Sequence, residues 1–144
     1  MSDLTTIEKG KIGELAITSD CIQRGYNVYA PVADCDQVDL LVEIESGIFS
    51  RVQIKTHFTT GQSKTSIDVK LRKHSAGRID VIGIYYFDAV CSNGTIAYIP
   101  YQGENQFILA VQNAKNNQRQ SRNWIYAFRD FPEHRAISTY GKQK

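Results

Sequence analysis

Two apolar segments on either side of a short turn at Ser46-Gly47 constrain the fold more than any other feature of the sequence. Residues 38–44 and residues 48–55 both place apolar side chains at alternate positions, as half-buried strands do. Turn residues between two such segments predict an antiparallel β-hairpin. Because a slip of one residue would turn one apolar set toward solvent, burial fixes how the two strands pair.

The apolar side chains also determine which residues face each other across the hairpin. Side chains alternate between the two faces of a strand, so one face must carry all of the buried residues. The opposed pairs are then Ile44 with Ile48, Leu40 with Val52, and Val38 with Ile54. A two-residue loop would give a different register, so the sequence predicts a three-residue loop or a β-bulge at the turn.

The same register brings polar side chains together on the other face. Asp39 falls opposite Gln53, and Lys55 follows one pair further along. Carboxylate and amide oxygens are ligands that Mg²⁺ accepts, and a lysine beside them can orient a water or stabilise the charge of a phosphorane. Glu14 adds a carboxylate if the preceding helix crosses this edge of the sheet. A plain polar sheet face, with Asp39 and Lys55 as a weak surface ion pair, fits the same pattern.

A helix is predicted before the hairpin. Residues 4–23 carry apolar side chains at helical spacing, with Asp3 or Thr5 as candidate N-cap and Gly25 at the position of a C-terminal glycine. Gly10 and Gly13 lie inside this helix, where each glycine costs roughly 1 kcal/mol against alanine. Their presence indicates that another element packs very close to this face.

The remaining segments predict strands and one short helix. Strands are expected over residues 26–30, 66–71, 81–87, 95–99 and 106–111, a loop over 112–123 and a short helix over 124–131. Asn93-Gly94 predicts the hairpin turn before the strand at 95–99. We therefore expect one domain over residues 1–144 of the α+β class, with a long N-terminal helix packed on a mixed β-sheet and a short C-terminal helix.

The composition excludes several classes of protein. With 42% hydrophobic and 22% charged residues over 144 positions, the chain lies in the range of ordinary globular domains. No apolar run is long enough to span a bilayer, and no signal peptide is expected at the N-terminus. The cysteines Cys21, Cys35 and Cys91 are expected to be reduced thiols, two of them in the core. We expect a cytoplasmic protein without a membrane partner.

Charge is distributed unevenly along the chain. Residues 1–50 carry three basic and nine acidic side chains, whereas residues 51–144 carry fourteen basic and six acidic ones. Basic side chains along a strand edge and a loop are typical of phosphate contacts, although a generally cationic surface fits the same distribution. The candidate DNA-contacting residues are Lys64, Lys70, Arg72, Lys73, Arg78, Lys115, Arg119 and Arg122.

Several motifs carry a resemblance to a known family. They are GKIGE at residues 10–14, RGYNVYAP at 24–31, VDLLV at 38–42 and RVQIKT at 51–56, followed by YIP at 98–100. In order, spacing and hydrophobic context they resemble the PD-(D/E)XK nuclease superfamily, which has a restriction-endonuclease-like core. Archaeal Holliday-junction resolvases look similar over the first half of the chain. The greatest resemblance is to the bacterial homing endonucleases of this superfamily that group I introns encode.

The resemblance implies an active site and a cofactor. Asp39 would be the metal-binding carboxylate, Lys55 the catalytic lysine, and Glu14 the helix glutamate that contacts metal or water. Gln53 stands where most of the superfamily has Asp or Glu, which leaves the site one negative charge short. The catalytic set is thus Glu14, Asp39, Gln53 and Lys55, of which the first three would bind Mg²⁺.

The resemblance also implies a substrate and an assembly. The leading hypothesis is a metal-dependent, site-specific double-strand DNA endonuclease of the intron-homing type. A Holliday-junction resolvase and a non-catalytic DNA-binding module with a degenerate site are the alternatives. One site hydrolyses one phosphodiester bond, so cutting both strands of a long target requires a homodimer or a homotetramer. Residues 81–87 and 95–99 are the candidate self-interface, and burial in the core of the chain is the alternative for both segments.

Overall fold

A computed structural model describes residues 3–33, 37–59, 65–71, 77–89, 92–112 and 123–132. These residues form one α-helix, seven strands and one short 3-10 helix. In chain order they are α1 (Thr6–Gln23), β1 (Asn27–Tyr29), β2 (Leu40–Glu45), β3 (Ile48–Phe58), β4 (Ser66–Lys70), β5 (Val81–Asp88), β6 (Asn93–Pro100), β7 (Gln106–Ala110) and the 3-10 helix Ile125–Phe128.

The start of α1 is fixed by a capping box. The backbone N–H of Glu8 donates to Thr5 Oγ1 at 3.1 Å, and Thr5 N–H donates to Glu8 Oε1 at 2.8 Å. These two bonds satisfy backbone donors that a helix start leaves without partners. After α1, Gly25 adopts a φ of +91°, a left-handed conformation that glycine enters at little cost. Both predicted helix boundaries are confirmed to within two residues.

The strands form two sheets. The larger has the order β1-β2-β3-β5-β6, in which β3 and β5 are parallel and every other neighbouring pair is antiparallel. The smaller is an antiparallel ribbon of β4 and β7. The helix packs mainly on β3 and β5. The predicted α+β class, with a long N-terminal helix on a mixed sheet, is therefore confirmed.

The β2–β3 hairpin has the predicted register over most of its length. Leu40 pairs with Val52, and the register holds as far as Glu43. A β-bulge then shifts the pairing, so that Ile48 lies opposite Glu45 and not opposite Ile44. The predicted irregularity is present, and the predicted 44–48 pair is wrong because the bulge inserts one extra residue on β2.

Two apolar clusters cover the two faces of the large sheet. The cluster on the helix side consists of Ile17, Cys21, Leu40, Val42, Val52, Val81, Tyr98 and Phe131. The cluster on the other face lies under the ribbon and includes Ile67, Val69, Leu71, Ile79, Ile82, Ile84, Tyr86, Ala97, Ile99, Leu109 and Ile125. Val38 packs against this second cluster, so its predicted place beside Leu40 is wrong. Val38 precedes β2, where the strand alternation does not apply.

The hairpin turn predicted at Asn93-Gly94 is wrong. Both residues belong to β6 and pair with Asp88 and Phe87. A Cβ on Gly94 would lie 2.4 Å from the hydroxyl oxygen of Tyr85. Glycine at this position therefore accommodates the Tyr85 ring.

The predicted self-interface is also wrong in part. β5 lies between β3 and β6, and Val81, Ile82, Ile84 and Tyr86 are buried within the chain. These side chains are core residues and are not available to a second copy. Within β6, Ala97, Tyr98 and Ile99 are buried as well.

Two expectations from the composition can be compared with the structure. Cys21 is a free, fully buried thiol, as expected of a core cysteine, whereas Cys35 and Cys91 lie outside the described residues. In the described part of the chain, no helix combines the length and the hydropathy that a bilayer crossing requires.

The predicted C-terminal helix is present only as the 3-10 helix Ile125–Phe128.

Candidate active site

A cavity of about 290 Å³ opens where the N-terminal half of α1 meets the start of β2 and the second half of β3. Three of the four predicted catalytic residues, Glu14, Asp39 and Lys55, line it. The complete lining consists of Thr6, Lys9, Gly10, Glu14, Asp39, Ile54, Lys55, Thr56 and Phe58. The structure thus brings together side chains that lie 41 positions apart in the sequence, from Glu14 to Lys55.

Gly13 allows α1 to approach β3 at the cavity. A Cβ at this position would lie 1.9 Å from Thr56 Oγ1, which is impossible without a shift of helix or strand. Glu14 is the next residue, so the close approach brings its carboxylate to the edge of β3. Gly10 has no atom within 4 Å of its Cβ position. The expectation of close packing is therefore confirmed for Gly13 and wrong for Gly10, which borders open space in the cavity.

Asp39 is held by two hydrogen bonds to β3. Its backbone N–H donates to the carbonyl oxygen of Val52 at 2.9 Å, and its Oδ2 accepts from the backbone N–H of Ile54 at 2.8 Å. The side chain therefore continues the ladder of hydrogen bonds one step beyond the start of β2. This arrangement fixes the orientation of the carboxylate at the cavity wall.

Gln53 is more buried than the sequence pattern indicates. The Leu40–Val52 register, extended by one position, places it opposite Asp39, but only 9% of the residue is exposed and it does not line the cavity. Among the described residues, none donates a hydrogen bond to its Oε1 atom. A buried acceptor without a donor costs about 1–3 kcal/mol. A positive ion or a water at this oxygen would remove that cost.

The donor atoms fit a hard divalent cation. Two carboxylates, from Glu14 and Asp39, line one cavity. Gln53 belongs to β3, which also contributes Ile54, Lys55 and Thr56 to the lining, and no described residue donates to its amide oxygen. Oxygen ligands suit Mg²⁺, which keeps several waters and needs few protein ligands. Within the described ranges, no three His, Cys, Asp or Glu side chains cluster as a denser metal site would require. The residues therefore fit a sparsely coordinated, hydrated ion.

Lys55 lies between the first cavity and a second one of about 200 Å³ that opens between β3 and β4. The second cavity is lined by Lys55, Thr56, His57, Asp68, Val69, Lys70 and Ile84. Since Lys55 lines both cavities, its ammonium group can reach a phosphate bound near the carboxylates of Glu14 and Asp39. Strand β4 lies next to Lys55 at the second cavity. The polar face predicted from the hairpin is thus flanked by β4 at Lys55 and is not simply solvated.

Lys9 belongs to the site although it was not among the residues predicted from the sequence. Its side chain lines the first cavity, and its Nζ lies 5.8 Å from the centroid of the Phe58 ring, within the range of a cation–π interaction. The sequence signal for Lys9 is its position next to Gly10, one of the two glycines inside the predicted helix. Lys9 gives the cavity a second positive charge in addition to Lys55.

The predicted DNA-contacting residues are only partly within the described structure. Lys70 is exposed on β4, pairs with Asp68 at 2.9 Å and donates to Gln106 Oε1 at 3.3 Å. Arg78 is exposed on the turn before β5. The others, Lys64, Arg72, Lys73, Lys115, Arg119 and Arg122, lie outside the described residues.

The far end of α1 holds a hydrogen-bond network around the buried Tyr98 side chain. Tyr98 donates to Asp20 Oδ2 at 2.6 Å, and Arg24 Nε donates to the same oxygen at 2.7 Å. Burial, followed by the hydrogen bond to Asp20, raises the pKa of Tyr98 far above its ordinary value. Burial also raises the pKa of the Cys21 thiol, whose sulfur lies 3.5 Å from the Tyr98 hydroxyl. This network ties α1 to β6 and lies apart from the cavity.

Comparison with known proteins identifies the family. A family model described as PD-(D/E)XK endonuclease matches residues 4–131. The chain belongs to the PD-(D/E)XK endonuclease family. The fold of this endonuclease is similar to a solved structure of the bacterial homing endonuclease I-Ssp6803I, with a TM-score of 0.63 and 19% sequence identity over 96% of both chains. No curated protein matches the sequence.

Membership of this family makes the chain a nuclease, and DNA is the substrate that such a nuclease implies. The family model covers α1, the β2–β3 hairpin and the short 3-10 helix, so every described element falls within the match.

Proposed function

We propose that this PD-(D/E)XK endonuclease is a Mg²⁺-dependent, site-specific enzyme of the intron-homing type that cuts both strands of duplex DNA. The proposal rests above all on one observation: Glu14, Asp39 and Lys55 line a single cavity. Two residues before Lys55 on β3, Gln53 has a buried amide oxygen to which no described residue donates. The fold similarity to a homing endonuclease over 96% of both chains supports the same function class.

Each residue has a role that follows from its chemistry. Asp39, Glu14 and the Gln53 oxygen would hold the ion, and the bond from Ile54 N–H would keep the Asp39 carboxylate oriented. Mg²⁺ at this site would supply the acidity that activates water and the charge that stabilises the departing 3′ oxygen. Lys55 would donate a hydrogen bond to a phosphoryl oxygen or to the attacking water, and so offset the negative charge of the transition state.

Gln53 distinguishes this site from one built on three carboxylates. A neutral amide contributes an oxygen but no charge, so the ion would be bound more weakly and Glu14 would matter more. We therefore expect cleavage to depend steeply on Mg²⁺ concentration, and Glu14→Gln to raise the Mg²⁺ concentration required for half-maximal rate.

The substrate is proposed to be a long DNA duplex bound by a homodimer or homotetramer. Cutting two antiparallel strands takes two sites in opposed orientation, and a domain of this size covers about one turn of duplex. Light scattering on the DNA-free protein tests the assembly. A strict monomer, both free and on its cleaved duplex, would contradict double-strand cutting by this chain.

The experiment that tests the function is cleavage of a library of randomised duplexes with Mg²⁺, followed by sequencing of the cut ends. Site-specific double-strand cuts that disappear in EDTA and with Lys55→Ala are expected. Cleavage of four-way junctions alone would favour a junction resolvase. DNA binding without cutting of either substrate would favour a non-catalytic binding module.

A further inference from the structure

The β4–β7 ribbon has one buried and one exposed face. On the buried face, Ile67 and Val69 of β4 and Leu109 of β7 are at most 5% exposed and pack against the large sheet. The opposite face carries Asp68 and Lys70 of β4 together with Gln106 and Ile108 of β7. The ribbon is therefore anchored by its inner side chains, and its outer side chains are available to a ligand.

The outer face consists of two adjacent cross-strand pairs. Lys70 lies opposite Gln106, and Asp68 lies opposite Ile108. The Lys70 and Asp68 side chains are 75% and 41% exposed, and Ile108 is 49% exposed. This face thus offers a cationic donor, an amide, a carboxylate and an apolar group, in fixed positions on a short rigid support.

These four groups correspond to the chemistry of base edges in the major groove. Lysine donates to the guanine O6 and N7 acceptors, glutamine pairs with adenine N6 and N7, a carboxylate accepts from cytosine N4, and an apolar side chain contacts the thymine methyl group. Asp68 and Lys70 alone would suit an ordinary surface ion pair. Their combination with Gln106 and an exposed isoleucine provides a contact for each of the four bases.

The dimensions of the ribbon suit the same groove. Strands in a ribbon lie about 4.8 Å apart, so two strands with their side chains fill a major groove of about 12 Å. Residues two positions apart on one strand are separated by about 6.7 Å, close to two base-pair steps of about 3.4 Å. The Lys70–Gln106 pair and the Asp68–Ile108 pair would therefore meet base pairs two steps apart.

The ribbon lies next to the catalytic cavity, so a DNA duplex bound there is the ligand that its outer face would meet. Asp68 and Lys70 line the second cavity together with Lys55, which also lines the catalytic cavity. A duplex whose phosphate reaches Lys55 would therefore place its neighbouring groove against β4. The inner face is already buried, so only the outer face can meet the DNA.

We propose that the outer face of the β4–β7 ribbon enters the major groove of the target and reads base edges through Lys70, Gln106, Asp68 and Ile108. The inference rests on the proposed endonuclease function and deepens it, because it assigns the sequence specificity to a defined element. Lys70 is then a base-reading residue, in contrast to a residue that only neutralises phosphate.

The first test compares the sequence preference of variants on the randomised duplex library. Gln106→Ala is expected to lose a preference of roughly ten- to hundredfold at one or two base pairs and to keep the preference elsewhere. Gln106→Lys is expected to shift the preferred base at that position from adenine toward guanine. Gln23→Ala is the matched control, since it truncates an exposed glutamine at the end of α1, on the other face of the sheet.

The second test separates the major groove from the minor groove. Replacing guanine by 7-deazaguanine removes only the N7 acceptor, and replacing thymine by uracil removes only the methyl group, both in the major groove. With 7-deazaguanine in the target, cleavage by the wild type is expected to weaken, whereas cleavage by Lys70→Ala is expected to stay as it is on the unmodified duplex. With uracil in place of thymine, cleavage by the wild type is expected to weaken, whereas cleavage by Ile108→Ala is expected to stay unchanged. Thermal unfolding midpoints show whether each exposed-site variant is folded.

Each outcome bears on the proposal. Unchanged sequence preferences in the Gln106 and Lys70 variants, with site-specific cutting by the wild type, would overturn the ribbon's role and leave the endonuclease function standing. A loss of affinity that is uniform over all sequences would show phosphate contact and overturn base reading. If the wild type does not cut, the sequence preferences are measured instead on the duplexes that it binds from the library in EDTA. If the bound duplexes share no preferred sequence, both proposals are overturned.

Discussion

The Oδ2 atom of Asp39 accepts a hydrogen bond from the backbone N–H of Ile54 at 2.8 Å. A side chain that is proposed to bind the metal therefore also satisfies a backbone donor of β3. Removal of the side chain would affect both roles, whereas a change that keeps an oxygen in the same place would affect only the charge.

We expect Asp39→Asn and Asp39→Ala to abolish cleavage and to differ in stability. Asparagine keeps an oxygen that can accept from Ile54 N–H, so its free energy of unfolding should stay within about 1 kcal/mol of the wild type. Alanine leaves a partly buried donor without a partner and should cost about 1–3 kcal/mol. Urea unfolding and duplex cleavage measure the two effects. Wild-type cleavage by the asparagine variant would contradict the role of the carboxylate.

Lys55→Ala should abolish cleavage and leave DNA affinity within a few-fold of the wild type. The ammonium group would act on the phosphate in the transition state, so its loss affects rate more than binding. Arg129→Ala is the control, because it removes one exposed positive charge near the opposite end of α1, where Arg24 donates to the Arg129 carbonyl oxygen. Single-turnover cleavage and fluorescence anisotropy in EDTA measure rate and affinity. A Lys55→Ala enzyme that cuts at the wild-type rate would rule out this assignment.

Gln53→Glu should tighten Mg²⁺ binding and make stability depend on the metal. At 9% exposure, a carboxylate without a cation would be costly to ionise, so the variant should melt at a lower temperature than the wild type in EDTA. Mg²⁺ should raise the melting temperature of the variant more than that of the wild type. Thermal unfolding over a range of Mg²⁺ concentrations tests this. The same response to Mg²⁺ in both proteins would place Gln53 outside the metal site.

Gly13→Ala and Gly10→Ala should have opposite effects on stability. The added methyl group at Gly13 would lie 1.9 Å from Thr56 Oγ1 and should cost about 1–3 kcal/mol through overpacking. At Gly10 nothing lies within 4 Å, so the better helix propensity of alanine should stabilise the protein by about 1 kcal/mol. Denaturant unfolding of the two variants measures both changes. Equal effects would mean that α1 does not contact β3 at Gly13.

Acid should weaken the hairpin through Glu43. Its carboxylate accepts from Gly47 N–H at 2.9 Å and from Asn27 Nδ2 at 3.3 Å, and these bonds lower the pKa of Glu43 below 4.5. A lowered pKa contributes stability above the pKa of the unfolded chain, and this contribution is lost as the pH falls through the folded pKa. Stability should therefore fall below about pH 4.5 less steeply in Glu43→Gln than in the wild type. Identical pH profiles from urea unfolding would contradict the role of Glu43.

Local features of the fold could be predicted from the sequence, whereas long-range pairing could not. The alternation of apolar side chains was sufficient for the Leu40–Val52 register, and Thr5, which caps α1, was one of the two candidate N-caps. The parallel pairing of β3 with β5 and the separation of β4 and β7 into their own ribbon have no local signature, because periodicity does not say which strands meet.

In the candidate site too, features that depend on neighbouring residues could be predicted, whereas features that depend on distant segments could not. Asp39 and Lys55 could be assigned from the hairpin register and the family resemblance, since both depend on residues near in sequence. The burial of Gln53 could not, because it depends on how segments distant in sequence pack around β3. Lys9 was missed because its approach to Phe58 depends on how α1 crosses the sheet.

The parallel pairing of β3 with β5 has a consequence for synthesis of the chain. Every hydrogen-bonding partner of β3 on that side, from Val81 to Phe87, emerges from the ribosome after the whole of β4. Until then β3 has an open edge, and pairing of strands so far apart in sequence is slow to nucleate. A growing chain thus carries Glu14, Asp39 and Lys55 for some time before the sheet that aligns them is complete, so the cell gains a nuclease only when translation of most of the chain has finished.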